Sequence, residues 1–182
     1  MTGQAVIHPF DLLLDIDKRN QALTTDTSAQ AKPAGQEGRL AVRLGSWNLL
    51  LSMDDVAEIV PIPRITRIPG VATWLLGIAN LRGTILSVVD LQEFLGGEPS
   101  TPTPNSRLVI VRAGEWEYGL LIHEVIGMRQ FGEQSRLPDI ATDKNINFTP
   151  YCVEGFEGEN RQWFVFDIDR LLNDSKFLDA AI

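Results

Sequence analysis

Cysteine and histidine are nearly absent from this sequence. Cys152 is the only cysteine, which excludes an internal disulfide and the disulfide framework of small secreted domains. The two histidines, His8 and His123, are far apart and lack a Cys or acidic partner at ligand spacing, so neither a metal site nor a catalytic histidine is predicted. Cys152 lies between Tyr151 and Val153 in an apolar stretch, which predicts a buried and inert thiol.

Long apolar runs and basic residues are also scarce. No window approaches the roughly 18 consecutive apolar residues of a membrane span, and the first residues lack the basic region of a secretory signal. The chain has 24 acidic and 16 basic residues, a net charge of -8, so nucleic acid and anionic lipid are unfavourable partners. We therefore expect a cytoplasmic protein without direct membrane insertion.

Sequence motifs of catalysis are missing as well. There is no glycine-rich phosphate loop with a lysine, no nucleophile elbow and no dinucleotide fingerprint, and the sequence predicts no catalytic residue and no cofactor. The neighbouring acids Asp54 with Asp55, and Asp167 with Asp169, lack the spaced oxygen ligands of a calcium loop. Helix capping and turn roles are the better prediction for them.

The N-terminal 38 residues differ in pattern from the rest. Residues 9–23 place Phe10, Leu13 and Leu14 on one side of a predicted amphipathic helix, and this side is a candidate docking face. Residues 24–38 are poor in large apolar groups and predict a flexible tether. The first domain boundary is therefore placed between 1–38 and 39–182.

Short apolar runs separated by turn residues fill the second region and predict a mainly β fold. The C-terminal stretch 168–180 predicts a helix, and residues 96–106, rich in proline and glycine, an exposed connection. Ten strands are expected, near residues 39–44, 47–52, 56–61, 77–81, 84–89, 106–112, 116–122, 125–131, 151–156 and 162–167.

A weak internal repeat runs through these strands. The segment from Trp47 aligns without a gap with the segment from Trp116, and "VVDLQEFL" aligns with "VFDIDRLL", so that Asp90 matches Asp167. Gly83 matches Gly158 only if two residues are inserted in the second copy. The repeat predicts two small barrels, each closing on itself and removing its edges, as subdomains at about 39–98 and 106–167.

The four tryptophans receive two different predictions. Trp47, Trp116 and Trp163 begin or lie within predicted strands and are expected to fill the barrel interiors. Trp74 stands beside a loop with Leu75 and Leu76. These three form a candidate protein-interaction patch, and the alternative that Trp74 belongs to the core stays open.

An ordered segment in the first half carries a family resemblance. "VAEIVPIPRITRIPGVATWLLGIANLRGTILSVVDLQEFLG", residues 56–96, resembles the central segment of CheW-like domains, and "YGLLIHEVIGM" and "FVFDIDRLL" resemble the matching positions of its second half. The leader "HPFDLLLDIDKRNQAL" is similar to the start of the PilI type of adaptor in type IV pilus chemosensory systems. His123 departs from the family, in which an aspartate is common at that position.

The resemblance implies a fold and a function. The fold would be two five-stranded SH3-like β-barrels. The activity would be a non-enzymatic scaffold that couples the cytoplasmic tip of a methyl-accepting chemoreceptor to the regulatory domain of a CheA-like histidine kinase, with other CheW-like adaptors as further partners, in control of twitching motility. The matching motif residues associated with receptor contact or its support are Val56, Glu58, Gly77, Asn80 and Arg82.

Arg82 raises a question of its own, since a permanent charge precedes an otherwise apolar strand. We hypothesise that it pairs with Glu58 across adjacent strands and holds an edge that the receptor recognises. Two alternative functions remain open: an adaptor of flagellar chemotaxis, and a sensor whose barrels bind a small molecule at their junction.

Overall fold

The computed structural model describes residues 38–114, 116–138 and 148–180. The predicted N-terminal helix, with its docking face of Phe10, Leu13 and Leu14, and the predicted tether lie outside the described residues. The architecture is mainly β, as the sequence predicts.

Within the described ranges the chain forms eleven strands. All ten predicted strands are present, with ends that differ by at most two residues. The additional strand, β4, is only two residues long. The strands are β1 (Arg39–Leu44), β2 (Trp47–Leu51), β3 (Val56–Pro61), β4 (Ile65–Thr66), β5 (Leu75–Leu81), β6 (Thr84–Asp90), β7 (Arg107–Ala113), β8 (Trp116–Ile122), β9 (Glu124–Arg129), β10 (Cys152–Gly158) and β11 (Arg161–Phe166).

Short helices follow the strands at two places. Helix α1 (Leu91–Phe94) comes directly after β6, whereas α2 (Ile168–Leu172) and α3 (Ser175–Leu178) come after β11. The single C-terminal helix predicted for 168–180 is therefore wrong. Asn173 is the C-cap of the first piece, and Asp174 is the N-cap of the second, because its side chain accepts a hydrogen bond from the Lys176 backbone N–H, as helix N-caps do.

The strands form two sheets that share strands from both halves of the chain. The first sheet has the order β10-β11-β2-β1-β9, and the second has the order β3-β7-β8-β6-β5-β4. Strands β11 and β2, and likewise β6 and β8, pair in parallel. The expectation that the segments 39–98 and 106–167 each close on themselves is therefore wrong, since each sheet needs strands from both.

The internal repeat is real in spite of this exchange. The order β5-β6-β8-β7-β3 in the second sheet matches β10-β11-β2-β1-β9 in the first, element for element. Asp90 and Asp167 both cap the helix that follows, accepting from the backbone N–H of Glu93 and of Arg170. The two-residue turn Arg82–Gly83 has its counterpart in Glu159–Asn160, without the insertion that the sequence alignment required.

Three apolar cores hold the sheets. Each sheet curls around a small core of its own, which contains Leu86 and Val88 in the second sheet and Trp163 in the first. A larger core lies between the sheets and receives side chains from both, such as Val42 and Val109. One strand contributes side chains to the core of its own sheet and to the core between the sheets, because successive side chains point to opposite faces.

Trp47 and Trp163 are covered, whereas Trp116 is not. Trp163 fills the first barrel as predicted. Trp47 packs half-buried on the core between the sheets, so its predicted place in a barrel interior is wrong. Trp116 is 73% exposed, so its predicted place in a barrel interior is wrong. Trp47 is covered by Phe148 and Phe164, and the position that corresponds to Phe164 in the repeat is Ser87, which is too small to cover Trp116.

Candidate functional site

The β5–β6 connection, which we call the first hairpin, ends in a tight turn at Arg82 and Gly83. Both residues have positive φ, 53° and 95°, the backbone of the two-residue turns that suit the twist of a hairpin. This conformation is ordinary for glycine but costs an arginine free energy. Asn80 supports the turn, since its side-chain oxygen accepts a hydrogen bond of 2.9 Å from the Gly83 N–H.

Arg82 extends from this turn to Glu58 on β3. Its guanidinium lies 2.7 Å from one carboxylate oxygen and donates a 3.2 Å hydrogen bond to the other. The predicted pair is therefore confirmed, but its predicted placement on adjacent strands is wrong. Three strands separate β3 from β5 in the sheet order, so the pair links the edge strand β3 to a turn on the far side of a curled sheet. Arg82 remains 75% exposed on its side chain.

Gly77 and Val56 shape the backbone beneath this pair. Each lies at a register shift, Gly77 on β5 and Val56 on β3. Gly77 is buried with φ of 135°, and a Cβ there would overlap the backbone carbonyl of Thr66 on β4. Val56 is half-buried against the core between the sheets. Gly77 and Val56 thus support the backbone of β5 and β3, whereas Arg82 and Glu58 present their side chains at the surface.

The predicted patch of Trp74, Leu75 and Leu76 does not form as expected. Trp74 is only 7% exposed, because Phe94 and Phe177 pack against its ring at 5.1 and 5.9 Å between centroids. Leu75 and Leu76 are half-buried and line a surface cleft of about 470 Å³. Trp74 therefore belongs to the core, and a docking role for the two leucines stays a prediction.

One exposed residue of this region escaped the sequence analysis. Ile85, on β6 next to the turn, is 65% exposed. The signal available was the alternation of the strand: Leu86 and Val88 fill the barrel, so Ile85 must point the other way.

Comparisons with known proteins identify the family of this chain. Residues 39–176 match the CheW-like domain family. This chain belongs to that family. The resemblance identified in the sequence is thus confirmed, and with it the class of chemosensory adaptor.

Three relatives show how far the similarity extends. The chain is 33% identical to protein PilI of Pseudomonas aeruginosa over 96% of this chain and 97% of that protein. It is 25% identical to chemotaxis protein CheW of Bacillus subtilis over 72% of this chain and 83% of that protein. The crystal structure of scaffolding protein TtCheW from Thermoanaerobacter tengcongensis is similar with a TM-score of 0.62 and 25% identity, covering 72% of this chain and 89% of that one.

The polar residues that a CheW-like domain could use for chemistry have structural roles here. His123 accepts a hydrogen bond of 3.0 Å on Nδ1 from the Gly45 N–H, which fixes the β1–β2 turn. Cys152 is buried, and burial raises the pKa of its thiol to about 12, so the inert thiol that the sequence predicts is confirmed.

An acidic group lies near the start of β3. Burial first, and then the neighbouring carboxylates Asp169, Asp167 and Asp54, raise the pKa of Asp55. Within the described ranges, no group of three or more His, Cys, Asp and Glu side chains could hold a metal ion. In the same ranges no helix is long and apolar enough to cross a bilayer.

Proposed function

We propose that this protein couples a methyl-accepting chemoreceptor to a CheA-like histidine kinase in the cytoplasm and catalyses no reaction itself. The pathway is a type IV pilus chemosensory system that controls twitching motility. The similarity to PilI over nearly the whole of both chains supports the pilus pathway, because it includes the leader that precedes the CheW-like domain.

The observation that carries the receptor contact is the pair of Arg82 and Glu58. Arg82 contacts both carboxylate oxygens of Glu58, and its side chain remains exposed. An exposed ion pair adds only about 0 to 1 kcal/mol to stability. This gain is no larger than the free energy that positive φ costs an arginine. Retention of strain at an exposed residue favours a binding role. Such charges contribute orientation and specificity to an interface more than raw affinity.

Reconstitution with purified components tests this proposal. The full chain is mixed with the cytoplasmic fragment of a chemoreceptor and the regulatory domain of a CheA-like kinase from the same genome. We expect binding to each partner and a ternary complex on size-exclusion chromatography. Arg82→Glu places a like charge against Glu58 and should remove receptor binding while kinase binding persists. Absence of binding to both partners, or a ternary complex unaffected by Arg82→Glu, would contradict the proposal.

The phenotype of cells that lack the gene distinguishes the pilus pathway from the flagellar one. Deletion of the gene should abolish twitching on a surface and leave swimming intact, and the wild-type chain but not Arg82→Glu should restore it. Loss of swimming with normal twitching would instead indicate the flagellar adaptor. A melting-temperature shift with a small metabolite in the absence of protein partners would favour the sensor.

A further inference from the structure

The internal repeat gives the first hairpin a structural counterpart. The β10–β11 connection, here the second hairpin, has the same two-residue turn, with Glu159 and Asn160 at φ of 56° and 57°. Glu159 lies 3.6 Å from Arg129 on β9, so this turn also forms an ion pair with the strand that corresponds to β3. The turn residues Arg82 and Glu159 are equivalent, but their partners are not, because the register of β3 and β9 matches Glu58 with Gly127.

The outward faces of the two hairpins differ in chemistry. On the first hairpin, Asn80 is paired with Ile85 and Ile78 with Ser87. The corresponding pairs on the second hairpin are Glu157 with Gln162 and Gly155 with Phe164. Near the turn, then, one face offers an exposed isoleucine beside an arginine, whereas the other offers an amide between two glutamates.

The backbone cannot explain this difference. Pairing, turn type and the inward-facing residues correspond in the two hairpins: Leu86 and its counterpart Trp163 are both buried. The inward-facing side chains differ in size but are apolar in both hairpins, whereas the exposed side chains next to the turns differ in polarity and charge. In protein interfaces, buried apolar side chains supply affinity, and neighbouring charges supply orientation and specificity.

We propose that Ile85 is a specificity-determining residue, the apolar anchor by which the chemoreceptor tip docks on the first hairpin and not on its counterpart. This inference rests on the proposed function, which names the receptor as occupant of this edge. Arg82 orients the receptor, and Ile85 inserts between apolar side chains of its helices. The second hairpin lacks both features, because Gln162 stands at the position of Ile85 and Glu159 at the position of Arg82.

Exchange of residues between equivalent positions tests this. Affinity of the full chain for the receptor's cytoplasmic fragment is measured for wild type, Ile85→Gln, Ile85→Val and the matched control Gln162→Ala. Ile85→Gln installs the residue of the second hairpin and should weaken binding about tenfold, the effect of a hot-spot residue. Ile85→Val should retain affinity within about threefold, since it keeps a branched apolar group, and Gln162→Ala within about twofold.

Each outcome separates this inference from the proposed function. Wild-type affinity of Ile85→Gln together with loss of binding in Arg82→Glu overturns the role of Ile85 and leaves the receptor contact in place. Absence of wild-type binding overturns both. Equal weakening by Gln162→Ala overturns the choice between hairpins. If Ile85→Gln alters only concentration-dependent self-association, measured by sedimentation, the face contacts a second copy and the inference is wrong. Melting temperatures within about 2 °C of wild type confirm folding of every variant, since these side chains are exposed.

Discussion

The Arg82 guanidinium lies 2.7 Å from the Glu58 carboxylate and links the β5–β6 turn to the edge strand β3 of the second sheet. Neither strand hydrogen-bonds to the other, so the side chains make a connection that the backbone ladder does not. The pair therefore fixes the spacing between β3 and the first hairpin. A partner that contacts both would sense the pair as one unit.

This relationship predicts coupling in a double-mutant cycle. Arg82→Ala and Glu58→Ala should each weaken receptor binding, and the double variant should lose less than the sum of the two single losses, because the second removal finds the pair already broken. The free energy of unfolding should change by no more than about 1 kcal/mol in each single variant. Additive losses of binding would show that the two residues act independently.

Gly77 should be far more sensitive than a glycine in open space. Gly77→Ala drives a Cβ into the Thr66 carbonyl at φ of 135°, and we expect a loss of at least about 3 kcal/mol in unfolding free energy. Gly70→Ala is the matched control. Gly70 also has positive φ, 73°, but nothing lies within 4 Å of its Cβ position, so the loss should be about 1 to 2 kcal/mol. Chemical denaturation measures both, and equal losses would refute the close approach.

Two tryptophans should respond in opposite ways. Trp74→Ala leaves a cavity between Phe94 and Phe177 and should lower the unfolding free energy by about 3 to 5 kcal/mol. Trp116→Ala removes an exposed ring and should change it by no more than about 0.5 kcal/mol. Urea denaturation followed by circular dichroism measures both. A small effect of Trp74→Ala would indicate that Trp74 belongs to a surface patch and not to the core.

Asp55 gives a prediction about pH. Its pKa is raised in the folded protein, so at pH 7 the ionised carboxylate costs the folded state more free energy than it costs the unfolded chain. Protonation removes that cost, and the contribution of Asp55 to stability therefore improves as the pH falls through its folded pKa. Asp55→Asn should raise the melting temperature at pH 7, and the gain should shrink towards pH 3. A gain that is the same at both pH values would contradict the electrostatic cause.

The strands were predictable because their cause is local. Alternating apolar residues between turn formers gave all ten long strands, and the N-caps Asp90 and Asp167 could be aligned from sequence alone. Strand β4 escaped, because two residues carry no period and its pairing depends on the close approach at Gly77. The break in the C-terminal helix at Asp174 was also local, but the apolar residues on both sides of it matched one helical face.

Long-range relationships were not predictable from the same patterns. Trp74 is buried by Phe177, which lies on another element near the end of the chain. The residues around Trp74 in the sequence do not indicate this contact. The repeat reveals that two halves are alike but not which half a strand pairs with, so the exchange between sheets was missed. The Glu58 and Arg82 pair was anticipated from the family resemblance, whereas Ile85 was missed, although the alternation along β6 indicates that it points away from the barrel.

The exchange of strands makes the two halves of the chain interdependent. Cleavage within residues 96–106 would give two fragments, each holding incomplete parts of both sheets, and neither fragment could complete a barrel without the other. The peptide connection thus keeps two mutually dependent pieces at a high effective concentration.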